Sequence, residues 1–108
     1  MGHFNTAVFT ESKDKEIVKA LLKPYSDEIP GDSVYDWEYN PNGQYDWYKI
    51  DFGFVAIDRF DDVSCAVLPT GEWVALFGKS EERTIKRLRI KEMAIEKGWF
   101  MAIVDCHC

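Results

Sequence analysis

The residues with the widest chemical reach stand at the two ends of the chain. Asp105-Cys106-His107-Cys108 closes it, and His3 lies near its start. Alternate side chains of a strand share a face, so Asp105 and His107 point one way and Cys106 and Cys108 the other. If a first strand lies antiparallel to the last, His3 falls beside His107. That would gather His3, Asp105 and His107 at one sheet edge. These are metal-ligating residue types, and the chemistry would be a metal-activated water or a histidine base. One C-x-C at a terminus without a second pair is not a zinc signature. The competing reading makes Cys106 a small buried hydrophobe and lets the last two residues fray.

Other candidates carry less. Cys65, within Ser64-Cys65-Ala66-Val67, reads as core rather than as a nucleophile, which would need a neighbouring His or a helix N-terminus. The pairs Asp61/Asp62 and Asp27/Glu28 suit acid–base work or calcium, but neither has calcium-loop spacing, and both read as solvated loop. Gly71 and Gly78 are isolated, so no phosphate-cradling loop is present. Arg83, Lys86, Arg87, Arg89, Lys91 and Lys97 face Glu81, Glu82, Glu92 and Glu96 over one segment, a net of +2. That balance describes a solvated helix face, or one that pairs with acidic residues elsewhere, better than a nucleic-acid contact. No motif names a reaction, and no cofactor is expected.

The most unusual stretch runs from Asp27 to Asp62. It holds ten carboxylates against two bases, Lys49 and Arg59, a net of −8 in a chain whose total is −6. It also holds nine of the sixteen aromatic residues. Either the rings pack under a sheet with the carboxylates in water, or the stretch is a protein-binding surface of aromatic anchors ringed by charge. The expected partner surface is Asp32, Asp36, Trp37, Glu38, Tyr39, Tyr45 and Asp46, with Asp58, Asp61 and Asp62 in a turn beside them. Carboxylates spaced along an edge also mimic phosphates, so a basic, nucleic-acid-binding protein is a suitable partner.

These residues need elements to position them. His3–Thr10 reads as a first strand. Ser12 is the expected cap of a helix whose stripe is Ile17, Val18, Leu21, Leu22 and Tyr25, ending near Lys23 because Pro24 follows. Residues 26–45 form an acidic aromatic insertion with turns at Pro30-Gly31 and Asn40-Pro41-Asn42-Gly43, and a short edge strand over Val34–Tyr39. Tyr45–Ile57 reads as one strand, or two broken at Gly53, which makes Trp47, Phe52 and Phe54 candidates for the core. Ser64–Leu68 and Glu72–Phe77 form a hairpin around Pro69-Thr70-Gly71. A second helix spans Glu81–Lys97, capped by Ser80 and stopped by Gly98. Its apolar residues split into two groups, Ile85, Leu88 and Ile95 against Ile90, Met93 and Ala94. Trp99–His107 is the last strand, apolar on both faces and therefore central. The expected fold class is α+β: a mixed, mainly antiparallel sheet with two helices on one face, ferredoxin-like, decorated by the insertion.

A length of 108 residues fits a single domain able to bury its own core. No apolar run reaches a membrane span, and Met1–Asn5 does not open a signal peptide. Three cysteines, an odd count, suggest reduced thiols and a cytoplasmic setting. Net −6 disfavours direct contact with nucleic acid or an anionic membrane. The oligomeric state is left open.

Several short segments together resemble a small, uncharacterised protein family of bacteriophages, prophages and plasmids. They are His3-Phe4 with Ala7-Val8-Phe9, Leu21-Leu22 with Pro24-Tyr25, Tyr39-Asn40-Pro41-Asn42 with Asp46-Trp47-Tyr48, Gly71-Glu72-Trp73, and Val104-Asp105-Cys106-His107. Members of that family carry Gly-Gly-Arg-Trp after the Asp-Trp-Tyr element, where this chain has Asp51-Phe52-Gly53-Phe54. The resemblance implies a mobile-element context and a host-cell cytoplasm, not a reaction. By analogy with small acidic phage proteins, the expected role is a non-enzymatic accessory protein that binds and inhibits a host protein, such as an anti-CRISPR-like defence inhibitor. The alternatives are a small metal-dependent enzyme using His3, Asp105 and His107, and a phage structural or assembly protein.

Overall fold

The last strand is apolar on alternate residues of both faces, and that property sets the architecture. A computed structural model describes residues 2–30, 37–78 and 80–107, with the backbone alone for 28–30, 37–39, 51 and 52. The elements are β1 (His3–Thr10), α1 (Lys15–Leu22), β2 (Glu28–Pro30), β3 (Trp37–Tyr39), β4 (Trp47–Val55), β5 (Cys65–Val67), β6 (Trp73–Ala75), α2 (Glu81–Lys97) and β7 (Phe100–His107). Single 3-10 segments cover Lys23–Tyr25 and Ile57–Asp62. A five-stranded sheet runs in the order β4-β7-β1-β5-β6, and β2 and β3 form a separate two-stranded sheet. β1 pairs parallel with β5 and antiparallel with β7, while β4–β7 and β5–β6 are antiparallel. The chain thus has an α+β fold with a mixed, mainly antiparallel sheet.

The helices, however, lie on opposite faces, and the ferredoxin-like arrangement is not formed. On one face Val8, Val67, Ala102, Val104 and Cys106 pack with Val18 and Leu22 of α1. On the other, Ala7, Phe9, Ala66, Met101 and Ile103 pack with Ile90 and Ala94 of α2 and with Phe60 of the second 3-10 segment. Met101 and Ile103 face one way along β7, Ala102 and Val104 the other, and all are buried. A strand of that kind needs cover on both sides. One layer of helices could not supply it.

Local signals account for most boundaries. The cap of α1 is Asp14 rather than Ser12: its carboxylate accepts from the Glu16 amide at 2.9 Å. Ser80 caps α2, accepting from the Arg83 amide at 3.2 Å, and Gly98 ends it in the left-handed conformation. β4 is one strand with a register shift between Ile50 and Gly53, where Gly53 takes φ +67°. A positive φ inside a bulge is a position glycine occupies at least cost.

Candidate functional site

Antiparallel partners that stand directly opposite each other share a face. In β1–β7 the register sets His3 against His107 and Asn5 against Asp105. In β4–β7 it sets Trp47 against His107 and Lys49 against Asp105. Three strands therefore line up a row of His3, His107 and Trp47, with Asn5, Asp105 and Lys49 in the next row. These rows share the α2 face but lie beyond the apolar cluster that α2 covers.

The rings form one contact group. Trp47 lies parallel to His107 at 4.9 Å between centroids and 11° between planes. His3 meets His107 edge-on at 5.0 Å and Trp47 edge-on at 5.7 Å. Trp47 nevertheless keeps 49% of its surface exposed, so its outer face is open to a partner. Carboxylates flank the group. His3 Nδ1 stands 3.1 Å from Asp105 Oδ1. His107 Nδ1 is shut off from solvent, and Asp46 Oδ2 lies 3.5 Å away without hydrogen-bond alignment.

His3, Asp105 and His107, the residues expected to hold a metal, are neighbours in the sheet. The fold brings the three side chains together as the strand register required. Yet among the described residues no group of three or more His, Cys, Asp or Glu side chains is arranged to hold a metal ion. The Nδ1 atoms lie beside two different carboxylates, and the imidazoles meet edge-on rather than pointing at a shared site. Cys108 lies outside the described residues.

Among the described residues, the members of the expected partner surface are not gathered in one place. Tyr45 is a core residue, 4% exposed, and its hydroxyl donates to the Leu22 carbonyl at 2.8 Å. Burial, reinforced by Tyr48, Cys106 and Asp27, raises its pKa well above the tyrosine range. Asp46 precedes β4, whereas Asp58, Asp61 and Asp62 follow it. The nine strand residues of β4 separate Asp46 from Asp58, roughly 25 Å at the rise of an extended chain. Asp61 pairs with Lys91 of α2 at 3.2 Å, while Asp58 and Asp62 are exposed. Trp37, Glu38 and Tyr39 form β3, of which the backbone alone is described, and Asp32 and Asp36 lie outside the described residues. Of the expected residues whose side chains are described, Asp46 alone joins the ring cluster. Trp47, a candidate for the core from the sequence, stacks on His107 within it.

The remaining candidates are structural. Cys65 is buried, and that burial raises its thiol pKa despite hydrogen bonds from Trp73 and Leu76 that work the other way. Two of the bases on α2 are spent on the fold. Arg87 donates to the carbonyls of Phe60, Val63 and Leu76 at 2.7, 2.9 and 3.3 Å, and Arg83 donates to that of Ala75 at 2.7 Å. No helix among the described residues is long and apolar enough to cross a membrane. Comparison with protein-family models, curated proteins and solved structures finds no match in any of the three.

Proposed function

We propose that this chain is a non-enzymatic accessory protein that works by binding another protein through the sheet end built from His3, Trp47 and His107. The observation that carries this reading is Trp47, half exposed on a rigid strand and backed by a stacked imidazole. Tryptophan is the side chain most enriched among residues that dominate protein interfaces, and a platform held by stacking loses little entropy on binding. Asp46 and Asp105 beside it, in a protein of net charge −6, favour a partner with basic side chains. The phage setting, the host cytoplasm and the role of a defence inhibitor rest on the motif resemblance and complete the proposal. Affinity capture from a bacterial host lysate tests it, with wild-type protein compared against Trp47→Ala and Asp46→Asn. One partner held by wild type and lost from Trp47→Ala is the expected result. Undiminished capture by a folded Trp47→Ala variant would remove this surface from consideration.

The His3–Asp105 contact supports a second reading, a metal-independent catalyst with His3 as base. A carboxylate on Nδ1 holds an imidazole in the tautomer that leaves Nε2 free to accept a proton. Hydrolysis of 4-nitrophenyl acetate separates the two readings. A rate above that of free imidazole, lost in Asp105→Asn, favours the catalyst; a rate no faster than imidazole excludes this chemistry on that probe.

A further inference from the structure

Trp47 ends a row of rings that the sheet leaves unfinished. The row crosses three strands, with His3 on β1, His107 on β7 and Trp47 on β4. β4 is an outer strand of the five-stranded sheet, so among the described residues no strand pairs with it on the far side of Trp47. One face of the indole is taken by His107, whose ring lies parallel to it at 11°. The other belongs to the 49% of the residue that meets solvent. We propose that this open face seats one arginine side chain of a protein partner, its guanidinium stacked flat on the indole. The inference rests on the reading of this sheet end as a protein-binding surface and names what that surface takes.

Charge and shape select this occupant. The face of an indole is the negative side of its quadrupole and attracts a cation. Asp46 Oδ2 lies 3.5 Å from Nδ1 of the imidazole that backs the indole, and the Asp46 side chain is 50% exposed. Its carboxylate therefore has acceptor positions for a donor arriving from solvent. Asp105 adds a second carboxylate behind His3, 3.1 Å from its Nδ1. Lys49 is the basic side chain of the next row, exposed and opposite Asp105. It stands two residues along β4 from Trp47, about 7 Å at strand rise. One cation over the indole is compatible with that neighbour, whereas a run of bases extending along β4 would meet it. A guanidinium suits the indole better than an ammonium does. It is planar and weakly hydrated, so it covers the ring while its N–H groups point outward to a carboxylate, and an ammonium is a compact, strongly hydrated charge. An aromatic side chain would cover the ring and leave Asp46 without a counter-charge.

Nuclear magnetic resonance titration of the isotope-labelled full chain tests it, with three blocked tripeptides that carry arginine, lysine or tyrosine between two glycines. The readout is the indole N–H signal of Trp47, identified by its loss from Trp47→Phe. The arginine peptide should shift that signal saturably and bind about threefold or more tighter than the lysine peptide, the scale of one cation–π contact. Asp46→Asn should weaken it and Lys49→Gln should tighten it, each about two- to threefold, the scale of one exposed charge pair. Equal or tighter binding of the lysine or tyrosine peptide overturns the inference, as does the absence of any shift or an arginine affinity unchanged in Asp46→Asn. Partner capture that depends on Trp47 would in those cases still support the surface by itself. Capture undiminished by Trp47→Ala removes the surface, whatever the peptides do.

Discussion

The indole of Trp47 lies flat against the imidazole of His107, with 4.9 Å between ring centroids. These residues are 60 positions apart in sequence, and only the β4–β7 register places them side by side. His3 joins them from β1, so one small surface draws on three strands. Such a group is held by the sheet rather than by a loop, which is what a preorganised binding surface requires.

Because Trp47 stands outside the core clusters, Trp47→Ala should cost at most about 1 kcal/mol of stability, the scale of one exposed ring pair. Equilibrium urea unfolding measures this. A loss above about 3 kcal/mol, typical of an aromatic truncated in a core, would show that Trp47 supports the fold and would undercut its role as an interface anchor.

Asn40 ties the insertion to the end of α1. Its amide donates to the carbonyls of Pro24 and Ser26, each at 2.7 Å, and its side-chain oxygen accepts from the Asn42 amide. Asn40→Ala should cost about 2–3 kcal/mol, since buried carbonyls lose their donors. Gly43→Ala should also destabilise, because its Cβ would fall 2.7 Å from the Asp27 Cα. Chemical denaturation of both, with Asn42→Ala as an exposed control, checks the clamp; equal stability of all three would refute it.

Arg87 is expected to act as a structural residue. Its three carbonyl partners join the second 3-10 segment and the end of β6 to α2, and its guanidinium lies 5.5 Å from the Phe60 ring centroid. Arg87→Ala should lower stability by about 2–4 kcal/mol, and Arg87→Lys should recover little, because an ammonium lacks the planar fork. Lys19→Ala, removing an exposed pair with Glu16, should change stability by less than about 0.5 kcal/mol. Thermal and urea unfolding compare the three.

Stability should fall in alkali. Burial raises the pKa of Cys65 above its ordinary value of 9.0 and those of Tyr45 and Tyr48 above 10.0. Below about pH 7.5 both folded and unfolded chains keep these protons, and the groups contribute no pH dependence. Above it the unfolded chain ionises first and binds fewer protons than the folded one, so stability declines through the window between the two sets of values. Urea midpoints from pH 7 to pH 11 should show this decline, with a shallower slope in Tyr45→Phe. Cys65 should resist iodoacetamide in the folded protein and react once urea exposes it.

The local elements were legible because their signals are local. A capping Ser80 and a terminal Gly98 bound α2 at the residues the sequence indicates. The hairpin turns where Pro69-Thr70-Gly71 permits it, and Pro24 stops α1. The His3–His107 juxtaposition was legible too, since it needed only strand parity and one antiparallel pairing. The pairing of α2 with an acidic residue, seen in Lys91–Asp61, is one of the two readings its charge balance allowed.

Tertiary structure alone decided the rest. The helices flank the sheet on opposite faces because β7 is apolar on both, a global consequence that no window of the sequence expresses. Charge density along residues 27–62 suggested one surface, but nine extended residues of β4 carry Asp58 away from Asp46, and Tyr45 turns into the core. Tyr45 and Trp47 are two residues apart, and their fates diverge by position. One hydroxyl reaches a helix carbonyl under α1, while the other ring stands past the edge of the cluster under α2. Residue type determined which side chains can bind or react in this chain. Which of them meet water was settled by where the two helices stop.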